Sequence, residues 1–277
     1  MCLRPAEQRT IDDFCALLTL VEQHAVSITA TPDCASQGRG GCDALIDRGG
    51  VVYAVEHTSL DSFHGQRHDD AAFGQVIRPL EEAIQAHRPG WEVMVGVPVR
   101  AFPTERAWRE ALPALREVLL SDIESLADGE RRTVTVGNPP FETVLICRRT
   151  PGATRCFVTR LVPDDLARQV ADGMADRLRA KRHQLQPYFD QGMPTILLIE
   201  SDDVALTGRD NLAKAFAVAA GRQTTGSISE VYLAQSSRTP TWFYPVKVGG
   251  RLYPAVPEFD EFFLHQCQRD YGPLLPT

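Results

Sequence analysis

The stretch Gly41-Cys42-Asp43-Ala44-Leu45-Ile46-Asp47-Arg48-Gly49-Gly50-Val51-Val52-Tyr53-Ala54-Val55-Glu56-His57-Thr58 decides how this chain is read. Two largely apolar runs, Cys42 to Asp47 and Val51 to Thr58, flank a pair of glycines, and a tight hairpin turn needs residues that tolerate positive φ. With a two-residue turn, Arg48 faces Val51 and the register carries Asp43 opposite Glu56. Side chains alternate along a strand. One face then holds Asp43, Leu45, Asp47, Ala54, Glu56 and Thr58, while Ala44, Ile46, Tyr53 and Val55 fill the other. Directly opposed like charges destabilise a sheet by about 0.2 to 1 kcal/mol, so the Asp43 and Glu56 couple calls for a compensating cation. Hard carboxylate oxygens favour Mg²⁺ or Mn²⁺, which can orient a phosphodiester and lower the pKa of an attacking water.

Upstream, Thr10 and Asp13 resemble a helix N-cap, and Ile11, Phe14, Leu17, Leu18 and Val21 recur at helical spacing as far as His24. Val26, Ile28 and Thr29 read as a strand that stops at Pro32-Asp33, before a Gly- and Ser-containing loop to Gly41. Downstream of Asp61, the residues Phe63, Phe73, Val76, Ile77, Leu80 and Ile84 mark a long helix. A strand from Trp91 to Val99 and a helix capped by Thr104 follow it. Strands are expected around Thr133 to Val136, Thr143 to Arg148 and Arg155 to Leu161, then a charged helix from Pro163 to Asp190. The continuous apolar strand Thr195 to Glu200, a helix after Asp210, a strand at Val231 to Ala234 and a hairpin at Gly249-Gly250 complete the pattern. That order is an α/β signature. The polar run Ala127 to Arg132 suggests a boundary between residues 1–127, carrying the core, and 128–277, an α/β elaboration that is either a second domain or part of the same one.

The 277 residues include 43% hydrophobic and 23% charged side chains, enough for a sizeable core. A net charge of -7 argues against a protein that coats nucleic acid non-specifically, though not against an enzyme that grips it locally. Arg148, Arg149, Arg155, Arg160, Arg168, Arg177, Arg179, Lys181 and Arg182 are concentrated in one region, interleaved with Asp164, Asp165, Asp172 and Asp176, and read as a solvated helix face laced with opposite charges. The seven cysteines form no C-x-x-C pair, so neither a disulfide framework nor a zinc cage is indicated. No apolar run is long enough to span a bilayer and the first residues lack a signal-peptide pattern, which predicts a cytoplasmic protein with no membrane partner.

The hairpin resembles the PD-(D/E)XK nuclease superfamily, the restriction-endonuclease-like fold, in which a helix precedes a strand hairpin carrying Asp and then Glu-x-Lys, with a helix to follow. The resemblance covers roughly residues 10 to 100. It implies a nuclease hydrolysing phosphodiester bonds in DNA or RNA, with Mg²⁺ or Mn²⁺ held by Asp43 and Glu56, the His57 carbonyl as a backbone ligand and Glu22 on the first helix as a further carboxylate. The chain departs from the pattern at the family's lysine, where Thr58 stands, and no lysine precedes Lys181. Some members replace that lysine, and here His57, Gln66 or Arg67 would position or polarise water. Pro32-Asp33 is a literal Pro-Asp, but it precedes a loop and ranks below Asp43.

Other readings compete with this one. A catalytically silent member of the fold would bind nucleic acid or a protein, and the missing lysine favours it. In a purely structural account, Asp43 simply ends a strand and Glu56 pairs with an arginine such as Arg67. His64 and His68, four apart near a helix start, have the spacing of a zinc pair, but Gly65 occupies the place of the glutamate in an H-E-x-x-H helix.

Overall fold

In chain order the elements are α1 (Pro5–Glu22), β1 (Val26–Ala30), α2 (Pro32–Ala35), β2 (Ala44–Arg48), β3 (Val51–Ser59), α3 (Gln66–His87), β4 (Trp91–Pro98) and α4 (Glu105–Ser125). There follow β5 (Arg131–Val136), β6 (Phe141–Arg149), β7 (Arg155–Leu161), α5 (Leu166–Asp190), β8 (Thr195–Ser201), α6 (Arg209–Arg222), β9 (Glu230–Gln235), β10 (Trp242–Val248) and β11 (Arg251–Leu252). The computed structural model describes residues 4–35, 41–63, 65–101, 105–136, 141–152, 154–161, 163–203, 208–222, 225–236 and 241–252. The chain divides into two units, one made of Met1–Phe63 with Ala167–Thr277 and the other of His64–Leu166. The boundary expected after residue 127 therefore falls inside the second unit, and the division is a discontinuous one.

The first unit is built on a seven-stranded sheet of order β1-β2-β3-β8-β9-β10-β11. Strands β1, β2 and β3 pair antiparallel, β3, β8 and β9 parallel, and β9, β10 and β11 antiparallel. The hairpin has the expected register, from Arg48 opposite Val51 to Ala44 opposite Val55. Both turn glycines have positive φ, 64° at Gly49 and 83° at Gly50, the combination that gives a two-residue turn the twist of its flanking strands.

One sheet face is covered by α1, whose Ile11, Phe14, Leu17 and Leu18 join Ile46, Val55, Ile196, Leu198, Tyr232 and Phe243 in one buried cluster. The Phe14 ring lies 4.8 Å from Tyr232 and 5.4 Å from Phe243, centroid to centroid. Helix α1 begins a turn earlier than its periodicity suggests because Pro5 suits the first helical position and the Glu7 carboxylate accepts the Arg4 N–H at 3.0 Å. Leu197, Ile199, Val231 and Leu233 alternate with the α1-facing residues and are also buried. A strand buried on both faces reads as an unbroken apolar run, which is why β8 has no alternation.

At the turn end of the hairpin, Arg48 is enclosed by carboxylates. Its Nε donates to Glu22 at 2.5 Å and its Nη1 to Glu230 at 3.0 Å, while the guanidinium lies 5.2 Å from the Tyr53 ring. These contacts tie α1, β2 and β9 together, and burial offsets only part of their effect, so the Arg48 pKa remains raised.

The second unit holds a four-stranded sheet of order β5-β6-β4-β7. Leu80 and Ile84 of α3 and Leu115, Leu119 and Ile123 of α4 pack with Val93, Val95, Leu145, Cys147 and Cys156 on one side of it. Among the described residues, no helix is long and apolar enough to cross a membrane.

Replacing Arg48 with Ala strands two largely buried carboxylates, and denaturant unfolding is expected to show a loss of about 3 kcal/mol. Replacing exposed Arg106, whose pair with Glu110 lies within one helix, should change stability by less than about 0.5 kcal/mol.

Candidate active site

Alternation along β3 sends Val55 and His57 toward α1 and sends Ala54, Glu56 and Thr58 to the opposite side of the sheet. Asp43 stands one position before β2, next in register to the Ala44 and Val55 pair, and so reaches Glu56 as the hairpin predicts. Its Oδ2 accepts the backbone N–H of His57 at 2.7 Å, which fixes the carboxylate over the strand. Asp43 is nearly buried and Glu56 fully so.

Helix α5 crosses this face. A Cβ at Gly173 would lie 3.4 Å from Leu60, Lys181 Nζ sits 2.5 Å from Glu56 Oε2, and the Tyr188 hydroxyl accepts the Cys42 N–H at 3.0 Å. Eight helical residues rise about 12 Å, and the four strand residues from Leu60 back to Glu56 span about 13 Å, so helix and strand stay in step. Met174, Leu178 and Leu185 are buried on the same stripe. Lys181 thus occupies a sheet-facing position of α5, and the solvated face expected of this helix does not include it.

Burial pushes the Glu56 carboxyl up to about 8, the charge of Asp43 adds to the effect, and the Lys181 ammonium pulls against both. Oxygen Oε1 of Glu56 is buried without a hydrogen-bond partner. The Cys42 thiol, beside the pair, is likewise pushed up to about 11, mainly by burial. At the edge of the site Arg4 has a raised pKa, chiefly through its hydrogen bond to Glu7, with a smaller contribution from Asp43.

The other residues expected at the site are dispersed. Glu22 is engaged with Arg48 at the turn end of the hairpin, five residues of β2 from Asp43, about 17 Å along the strand. The first helix therefore supplies no carboxylate from that position. His57 meets Asp43 through its backbone N–H, while its imidazole lies on the α1 side with Nε2 2.7 Å from Glu200. Thr58 is nearly buried two residues beyond Glu56, on the same side of the sheet. Gln66 opens α3 in the second unit, fully buried, with Nε2 donating to Asp70 at 3.2 Å. Asp33 lies in the short helix α2, its N–H donating to the Cys42 carbonyl at 3.0 Å. His64 and the side chain of His68 lie outside the described residues. The partner of Glu56 is Lys181 of α5.

The donor set suits a hard divalent cation, because Glu56 Oε1 is an unused oxygen beside a second carboxylate. Among the described residues, no group of three or more His, Cys, Asp or Glu is placed to hold a metal ion. A cation here would draw its remaining ligands from water and substrate, as Mg²⁺ commonly does. The chain matches no family model, no curated protein and no solved structure.

The raised Glu56 pKa sets a pH dependence. Between about pH 4.5 and 8 the folded protein keeps a proton that the unfolded chain has released, so this group's contribution to stability is full below that window and is lost as pH rises through it. Thermal melts in metal-free buffer should show wild type losing more stability than Glu56→Gln between pH 5 and pH 8. Parallel curves would place the Glu56 pKa in the ordinary carboxylate range.

Proposed function

We propose that the chain is a metal-dependent nuclease of the restriction-endonuclease-like fold, with Asp43 and Glu56 as its metal ligands and Lys181 in the part of the missing motif lysine. The observation that carries this reading is the contact of Lys181 Nζ with Glu56 Oε2, 2.5 Å across 125 positions of sequence. It joins an ammonium to the carboxylate pair that the hairpin register brings together. The order of helix, Asp- and Glu-bearing hairpin, helix and parallel strand in the first unit supports the same reading, with α5 as the helix after the hairpin. Helix α3, expected in that place, packs instead on the second sheet.

A bound Mg²⁺ or Mn²⁺ would orient the phosphodiester and lower the pKa of an attacking water. Asp43, held by the His57 amide, presents a fixed carboxylate. Lys181 engages one oxygen of Glu56 and leaves the other for the cation, and its charge favours the negative charge that develops on the phosphate in the transition state.

Cleavage of labelled single- and double-stranded DNA and RNA should require Mg²⁺ or Mn²⁺ and fail in EDTA. Asp43→Asn, Glu56→Gln and Lys181→Met should each lower the rate by about a hundredfold or more. Mn²⁺ should raise the melting temperature of wild type, and of Lys181→Met, but barely that of Asp43→Asn. A Mn²⁺ shift without cleavage of any substrate would favour the silent, binding member of the fold. Full activity in Glu56→Gln would remove the chemistry from this site.

A further inference from the structure

The sheet of the second unit has α3 and α4 on one side, and its register defines what the opposite side presents. Across β5, β6, β4 and β7, one row reads Arg131, Ile146, Met94, Phe157. The row on one side of it reads Arg148, Glu92, Arg155, and the row on its other side reads Thr133, Val144, Gly96, Thr159. Phe157 is 48% exposed, although a phenylalanine in a strand is normally covered. Arg131, Arg148, Arg155, Thr133 and Thr159 are exposed with it, whereas Arg132 and Arg160, which face the helices, are engaged by Glu130 and Asp69. In the Gly96 row the face is covered by Leu161, whose side chain would come within 2.5 Å of a Cβ at Gly96, so the exposed part lies along Phe157 and the arginines.

An aromatic ring standing on a sheet beside exposed guanidinium groups has the chemistry of a platform for unpaired bases. Any base can stack on the ring, arginines can meet the flanking phosphates, and threonine hydroxyls can donate to sugar or phosphate oxygens. Three arginines outweigh Glu92 and Glu142 on this face, against the acidic balance of the whole chain, net -7. We infer that the face of the β5-β6-β4-β7 sheet opposite α3 and α4 binds single-stranded nucleic acid, with a base stacked on Phe157 and the backbone held by Arg131, Arg148 and Arg155. The nucleic-acid class of this ligand rests on the nuclease reading; the exposed ring and arginines do not.

The test is fluorescence anisotropy with labelled 20-nucleotide dT and rU strands and a duplex control, using the full chain in EDTA so that binding is read without cleavage. Wild type should bind the single strands better than the duplex. Phe157→Ala should weaken binding about tenfold or more, with an unchanged melting temperature. Arg148→Ala and Arg155→Ala should each reduce the salt slope by about 0.7. Failure of wild type to bind, equal binding of Phe157→Ala, or a wild-type dimer that Phe157→Ala dissolves would each overturn the inference. Strand binding that needs Phe157, without Mn²⁺-dependent cleavage, would uphold this face and refute the nuclease; cleavage with Phe157-independent binding would do the opposite.

Discussion

A carboxylate with no exposure to water, placed against a second carboxylate, is the constraint around which the first unit is arranged. An isolated charge in such a position costs several kcal/mol after relaxation. The fold meets that cost with one ammonium. Lys181 can reach Glu56 only because α5 lies antiparallel on β3 in close step with it, and α5 is held there by contacts on either side of the lysine, at Gly173 and Tyr188. The hairpin register and the parallel return of β8 beside β3 both serve the same juxtaposition. Burial first, and then the charge of Asp43, hold the Glu56 pKa raised in spite of that ammonium.

The hairpin was fully legible in the sequence because its determinants are local: two glycines set the turn, the turn sets the register, and the register sets which side chains are neighbours. The strands and helices beyond it follow their apolar periodicity for the same reason, with ends displaced by a few residues where capping decides, as at Pro5. Glu22 was misleading because helical spacing says which face a residue occupies but not which partner waits there, and Arg48 becomes its partner only once β1 has turned the chain back. Lys181 was hidden by its company. It stands among Arg177, Arg179 and Arg182, so composition suggests a wet, charged surface. Its spacing of three from Leu178 and four from Leu185 was the available signal, since a lysine on an apolar stripe must find a buried anion.

The division into units was illegible for a different reason. Ala127 to Arg132 carries every mark of a linker, yet it is the short link from α4 into β5, with Gly129 N–H bonded to the Cys147 carbonyl. The real junctions, after Phe63 and after Leu166, show no shift in composition. Inserting a unit requires only that its two ends leave and rejoin the host, and the entropic penalty of a longer connection grows only logarithmically.

That insertion also orders events during synthesis. Ribosomes deliver the chain from N- to C-terminus, so Asp43 and Glu56 emerge before the second unit, and Lys181, the first lysine in this sequence, emerges after it. A nascent or prematurely released chain that ends within the second unit carries the acidic pair with no ammonium to accompany it, and it also lacks β8, which must pair with β3. Asp43, Glu56 and Lys181 therefore come together only in a chain translated past residue 181.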